Sequence, residues 1–175
     1  MVVEVEVRLD GIIIGANPLP EAVQPAWLHG VLGIPDRVVD PASPAPVGHR
    51  NNQIHVYDDL GLYFHEHHGT RLAMDLVFVF WPEEERYAFT PRRAFSGHLK
   101  LHDYLVPVGA SESQLIHESP IPFQEYLSGH WRAGSERIAV GMVSKGAKLR
   151  SGRRSMRRRV VSIDVSWPHD PWRKA

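Results

Sequence analysis

The stretch VLGIPDRVVDPASPAPVGHRNNQIHVYDDLGLYFHE, Val31 to Glu66, decides the fold. It opens on the last turn of a short helix and stops at Leu32-Gly33-Ile34-Pro35-Asp36-Arg37. Glycine just past a helix with proline beyond it is the usual way a helix ends. Asp40 to Asn52 holds Pro41, Pro44, Pro46 and Gly48 and reads as a loop. Ile54 and Val56, then Leu62 and Phe64, alternate around Asp58-Asp59-Leu60-Gly61, which predicts a strand, a tight turn and a returning strand. Helix, loop and hairpin in this order specify architecture rather than catalysis.

Working back from this block, Val23, Trp27, Leu28, Val31 and Leu32 form one helical stripe. Pro25 blocks a hydrogen bond inside such a helix, so the helix begins near Gln24 with Pro25 in its first turn, or it kinks. At the start of the chain, Val3, Val5, Val7 and Leu9 alternate with polar residues. Asp10-Gly11 is a hairpin turn, and Ile12 to Ile14 begins a second strand.

Working forward, Arg71 to Trp81 reads as a strand with Leu72, Met74, Leu76, Phe78 and Phe80 on one face. Val77 and Val79 on the other face make it central and covered. Pro82 to Arg86 is read as a charged, solvated turn. Further strands are expected at His98–His102, Leu105–Val108, Glu136–Ser144 and Arg159–Trp167. Ser111 to Ser128 is poorly periodic and reads mostly as loop, with a short helix at Phe123 to Leu127. Short links between strands favour antiparallel pairing. The expectation is an α+β domain: a mainly antiparallel sheet with one or two short helices packed on one face. Residues 1–175 form a single domain with a tail at 168–175. A weak internal duplication over about 1–90 and 91–167 is an option, since both halves begin with a strand pair and finish with longer strands.

At 175 residues the chain can bury a real core without staples. It has no cysteine, which rules out disulfides and thiolate metal sites. The amino-terminal MVVEVEVRLDG resembles a strand rather than a signal peptide. No apolar run approaches the roughly 18 residues of a transmembrane helix, so no membrane partner is expected and the cytoplasm is the simplest compartment. Lys plus Arg and Asp plus Glu both number 20, which argues against nucleic-acid binding by gross charge.

His65-Glu66-His67-His68 is the candidate metal cluster, because His65 and His67 share one face of a strand. A third ligand is required, and His55, His98 and His102 are distant candidates. The competing reading is an exposed strand end before the Gly69 turn. Asp58 and Asp59 are a candidate carboxylate pair, but adjacent turn residues rarely converge, and an aspartate shaping the turn is the competing reading. Asp103 with His102 or His98 lacks a patterned nucleophile, since Ser111 and Ser113 sit in no Gly-x-Ser-x-Gly elbow. No cofactor motif is present. Trp27 and Trp81 are read as core. Trp167 and Trp172 are less easily buried, and their exposure as interface anchors competes with docking of the tail.

Eight basic residues fall between Lys145 and Arg159 with no acid among them. The segment joins two strands and so caps a hairpin. Arg150, Arg153, Arg154, Arg157 and Arg158 are candidate partner-binding residues, because guanidinium forks match carboxylates and phosphates; the competing reading is a solvated, mobile hairpin loop. Glu83, Glu84 and Glu85 are a smaller acidic counterpart. Aromatic residues typical of single-strand platforms are missing from the basic run, which favours a protein partner over nucleic acid.

Three stretches together resemble bacterial proteins similar to immunity proteins of type VI secretion toxins. They are the Leu32–Arg37 stop, the hairpin Ile54 to Leu62, and Phe95-Ser96-Gly97-His98-Leu99-Lys100-Leu101. The resemblance covers most of the chain up to about Leu101 and carries no ligand set. The basic hairpin after Lys145 and the tail after Trp167 depart from it. The helix, stop and meander are also similar to small outer-membrane assembly lipoproteins, against which the missing lipobox cysteine argues, and to the β-lactamase inhibitor protein. The resemblance implies a non-catalytic protein that binds and neutralises a cognate toxin encoded beside it. The alternatives are a nucleic-acid module built on the Arg hairpin and a His-cluster metal-dependent hydrolase.

Overall fold

The computed structural model describes residues 2–40, 52–85, 87–148 and 154–167. The chain opens as β1 (Glu4–Arg8) and β2 (Gly11–Ile14), a hairpin whose buried Val5, Val7, Ile12 and Ile14 come from the alternation in sequence. After β3 (Asn17–Pro18) comes α1 (Pro25–Leu32). Gln24 is extended and Pro25 is the first helical residue, so the proline occupies the position where its missing N–H costs nothing. Gly33 ends the helix with φ 93°, and its N–H reaches the His29 carbonyl.

The chain continues through β4 (Arg37–Val39), β5 (Asn52–Tyr57), β6 (Leu62–His67) and β7 (Asp75–Val79). Most of the proline-rich loop before β5 lies outside the described residues. Gly61 closes the β5–β6 turn with φ 73°, and a Cβ there would stand 2.2 Å from the Phe95 nitrogen. Glycine is therefore demanded twice, by conformation and by the backbone packed on the turn. Then follow β8 (His98–Leu101), β9 (Tyr104–Leu105), α2 (Glu112–Glu118), β10 (Gln124–Leu127), β11 (His130–Gly134), β12 (Ala139–Lys148) and β13 (Arg154–Ser166).

These strands make two sheets rather than one. The first has the order β3-β2-β1-β8-β9, and the second β10-β11-β12-β13-β7-β6-β5-β4. Pairing is antiparallel except between β1 and β8. One continuous core runs from Val3 to Trp167. It joins Val5, Ile12 and Leu99 of the first sheet to Phe64, Phe78 and Ile163 of the second, and takes Leu28 and Leu32 of α1 and Leu115 of α2. A smaller apolar cluster of Ile54, Val56, Tyr63, Val77, Val79 and Phe89 covers the other face of the large sheet. Strand β7 is therefore central and buried on both faces, as its apolar run requires.

Three expectations are corrected. Residues 111–128 are not mainly loop: Ser111 caps α2 by accepting the Gln114 N–H, and Gln124–Leu127 is a strand rather than a helix. Trp167 is buried in the core, where its Nε1–H donates to the Ala73 carbonyl at 2.9 Å. Trp172 and the tail 168–175 lie outside the described residues. Pro82–Glu84 is a 3-10 turn packed against β12 and β13 rather than a solvated turn: Glu84 is 13 % exposed and Glu85 is partly buried. Among the described residues no helix is long and apolar enough to cross a membrane.

Candidate functional site

The turn carboxylates are structural in geometry. Arg37 of β4 donates to both Asp58 oxygens, from Nε at 2.8 Å and Nη2 at 3.0 Å, and the Arg92 N–H donates at 2.9 Å. Arg37 also donates to the Ala88 and Thr90 carbonyls, which ties the β5–β6 turn to the segment crossing it. The Arg37 hydrogen bonds hold the Asp58 carboxyl below the usual carboxylate range, against the opposing effect of burial. Asp59 is exposed and pairs with Arg93 at 3.3 Å, so the two carboxylates point to different partners.

The histidine cluster is divided by the pleat of β6. His65 and Glu66 are buried, not part of an exposed strand end. His65 Nδ1–H donates to Asp75, at 2.7 Å to Oδ2, while the His67 ring accepts from the Thr70 N–H at 3.1 Å. His55 and Glu66 lie on the opposite face, under α1. The Glu66 carboxylate accepts from His55 Nε2 at 2.8 Å and from Arg71 Nε at 2.7 Å. Nδ1 of the same ring faces His29 Nε2 of α1 at 3.1 Å. The His55 ring stacks on Phe64 with centroids 4.4 Å apart. Among the described residues no group of three or more His, Cys, Asp or Glu is placed to hold a metal ion.

His98 contacts Glu4 at 3.4 Å on the surface of the small sheet. His102 and Asp103 border a shallow hollow with Glu6, Arg8 and Asp10, and no serine lines it. Ser111 is occupied as the α2 cap, and Ser113 lies beside His117. The structure does not bring the suspected triad together.

The basic segment is not a simple loop. The β12–β13 ladder continues through Lys145↔Arg159 and Gly146↔Arg158 to Lys148↔Arg154. Their sheet neighbours stop earlier: β11 pairs with β12 only as far as Val143, and β7 pairs with β13 only from Ser162 onward. The two strands therefore run on as a two-stranded ribbon. Arg150 and Arg153 lie outside the described residues, and Arg154 opens β13 opposite Lys148.

Neighbouring acids grip the ribbon at its root, from both sides. On one face the Arg159 guanidinium lies 3.5 Å above the Trp81 ring centroid and 3.7 Å from Glu84, while Lys145 Nζ donates to the Glu84 carbonyl at 2.8 Å. Burial pushes the Glu85 carboxyl up, opposed by a Ser162 hydrogen bond and by Lys145. On the other face Arg158 reaches Glu112 and Glu125, each at 3.4 Å, and donates to Ser128 Oγ at 2.7 Å. Glu112 also accepts from Trp131 Nε1 at 3.0 Å and from Ser144 Oγ. Arg157 is exposed and makes no ion pair among the described residues. Trp81, Ser111, Gln114 and the three arginines line a groove of about 350 Å³.

Of the residues expected to bind a partner, Arg158 and Glu84 are thus engaged within the chain, and Arg157 is open. Lys145 and Arg159 belong to the run noticed in sequence, whereas Trp81, Ser111 and Gln114 enter only through tertiary packing. Alternation along β13 separates Arg158 from Arg157 and Arg159, but the acids that pair with Arg158 and Arg159 are far away in sequence.

No curated protein and no solved structure matches the chain. The family model of a domain of unknown function, DUF7738, matches residues 4–114, ending within α2 before the ribbon strands. Because that match spans more than half of the chain, the protein belongs to the DUF7738 family.

Proposed function

We propose that this chain is a non-catalytic binding module of the immunity type, which docks on a cognate secreted bacterial toxin and blocks it. The observation that carries this reading is the basic β12–β13 ribbon, which runs past its neighbouring strands while its root is braced by acids of the same chain. A preformed charged surface of this kind speeds encounter with an oppositely charged partner and sets its register. The polar groups that would suggest chemistry are tied into internal bonds instead: Asp58 to Arg37, His65 to Asp75, and His55 to Glu66. The resemblance of the Leu32–Arg37 stop, the β5–β6 hairpin and the Phe95–Leu101 stretch to immunity proteins points the same way.

The test is co-expression with the product of the adjacent reading frame. The expected result is co-purification and loss of that product's toxicity. A toxic neighbour that neither binds nor is neutralised would reject the reading, as would a neighbour with no toxicity.

A second reading has one observation in its favour. A two-stranded ribbon is among the shapes that the DNA major groove admits. Duplex binding with a steep salt dependence would support it.

A further inference from the structure

We infer that the groove at the ribbon root seats a carboxylate side chain of a protein partner, with an apolar residue of that partner lying beside it. The inference rests on the binding-module reading and names the chemistry that the ribbon would recognise.

Three consecutive arginines reach this groove, but they are not equivalent. Arg158 is committed to Glu112, Glu125 and Ser128, and Arg159 to Trp81 and Glu84. Both guanidinium groups are held in place without a partner, which lowers the ordering cost of binding. Arg157, exposed and preceding both in sequence, is the open fork. The backbone bridge between Ser111 and Arg159 draws α2 against the ribbon and sets Gln114 on the same wall. One open guanidinium with neutral donors around it matches one carboxylate.

Exposed apolar side chains adjoin the lining in sequence. Val108, at 89 % exposed, precedes Gly109 of the groove wall. Tyr126 and Leu127, at 68 % and 61 %, precede the Ser128 that Arg158 holds on the opposite face of the ribbon. Arginine and tyrosine are enriched in protein interfaces. A phosphodiester backbone would instead meet Glu84, Glu112 and Glu125 close to the same arginines, which repel successive phosphates but leave room for a single acid.

The probe is a capped Gln-Glu-Leu-Gln-Gln peptide, which carries one carboxylate beside one apolar residue, followed through the side-chain NMR signals of Arg157, Gln114 and Trp81. Those signals should move with this peptide and stay still with its all-Gln counterpart. Arg157→Gln should weaken binding by about tenfold, the loss of one charge-assisted fork. Unchanged binding by Arg157→Gln would overturn the inference, as would shifts confined to other regions. Tighter binding of a DNA duplex at the same residues would overturn it in favour of nucleic acid. If a neutralised toxin binds Arg157→Gln as well as it binds the parent chain, the immunity reading stands and this seat falls. If no toxin is found but the peptide seats as described, the seat stands without that reading.

Discussion

His29 Nε2 lies 3.1 Å from His55 Nδ1, so two imidazoles share one hydrogen bond between α1 and the large sheet. Beyond them the chain of contacts ends in the Glu66 carboxylate and Arg71. One N–H can occupy the space between the two rings, and a second would set donor against donor.

This arrangement predicts acid sensitivity. Burial, and then the charge of His55, lower His29 below the usual imidazole value of 6.5, while Glu66 acts the other way. The unfolded chain therefore takes up the His29 proton first. Stability from this site is fully present above the usual value and is lost as pH falls through it toward the lower folded value. Urea midpoints measured between about pH 7.5 and about pH 5 should fall more for the parent chain than for His29→Gln, which keeps a donor toward His55 but cannot titrate. Equal slopes would count against the shared-proton geometry.

The Arg37–Asp58 clamp gives a different pH signature. Asp58 is 8 % exposed on its side chain, and removing Arg37 leaves an uncompensated carboxylate. Arg37→Gln should cost about 2–3 kcal/mol near neutral pH, at the lower end for a broken buried pair because Arg37 is partly solvated. The folded value of Asp58 is depressed, so its contribution is present above the usual 3.8 and lost as pH falls through the lower folded value. The deficit of Arg37→Gln should therefore shrink in strong acid, as chemical denaturation at several pH values would reveal.

Gly141 and Asp164 face each other across β12 and β13, and a Cβ on Gly141 would stand 2.1 Å from Asp164 Oδ1. The glycine makes room for a carboxyl that burial and the nearby Asp75 push up to about 6, with Arg132 opposing. Gly141→Ala should destabilise by about 2–3 kcal/mol through overpacking. In the Asp164→Ala background the same change should cost at least about 1 kcal/mol less, a coupling that a double-mutant cycle in urea measures. Additive costs would show that the glycine serves the backbone rather than Asp164.

How far the sequence carries the fold depends on how local each signal is. The β1–β2 hairpin and the Gly61 turn rest on neighbouring residues and are legible; at Pro25 the local pattern leaves a helix start or a kink, and the structure takes the start. Ser111-Glu112-Ser113-Gln114 carries a capping-box pattern that marks α2, yet the prolines around it point to loop. The division into two sheets depends on β1 pairing in parallel with β8, about ninety residues away, which no local pattern encodes. The candidate site divides the same way. The basic run is visible in sequence, but which arginine stays open depends on Glu84, Glu112 and Glu125, brought in by three separate elements.

Arg159 and Trp81 set the stiffness of the ribbon root. The guanidinium lies over the ring, Glu84 stands 3.7 Å from it, and no other aromatic ring stacks on Arg159 among the described residues. Cation–π contacts of this kind are worth about 0.5–2 kcal/mol. Trp81→Leu keeps an apolar side chain and removes the ring face. Amide exchange across Lys145, Gly146, Arg158 and Arg159 should then quicken by up to about tenfold, the rate equivalent of roughly 1.4 kcal/mol of local opening. Exchange in β1 and β2, on the other sheet, should stay as it was. A uniform acceleration would mean that Trp81 supports the whole core, and unchanged exchange at the root would mean that the Glu84 and Lys145 contacts hold the ribbon without it.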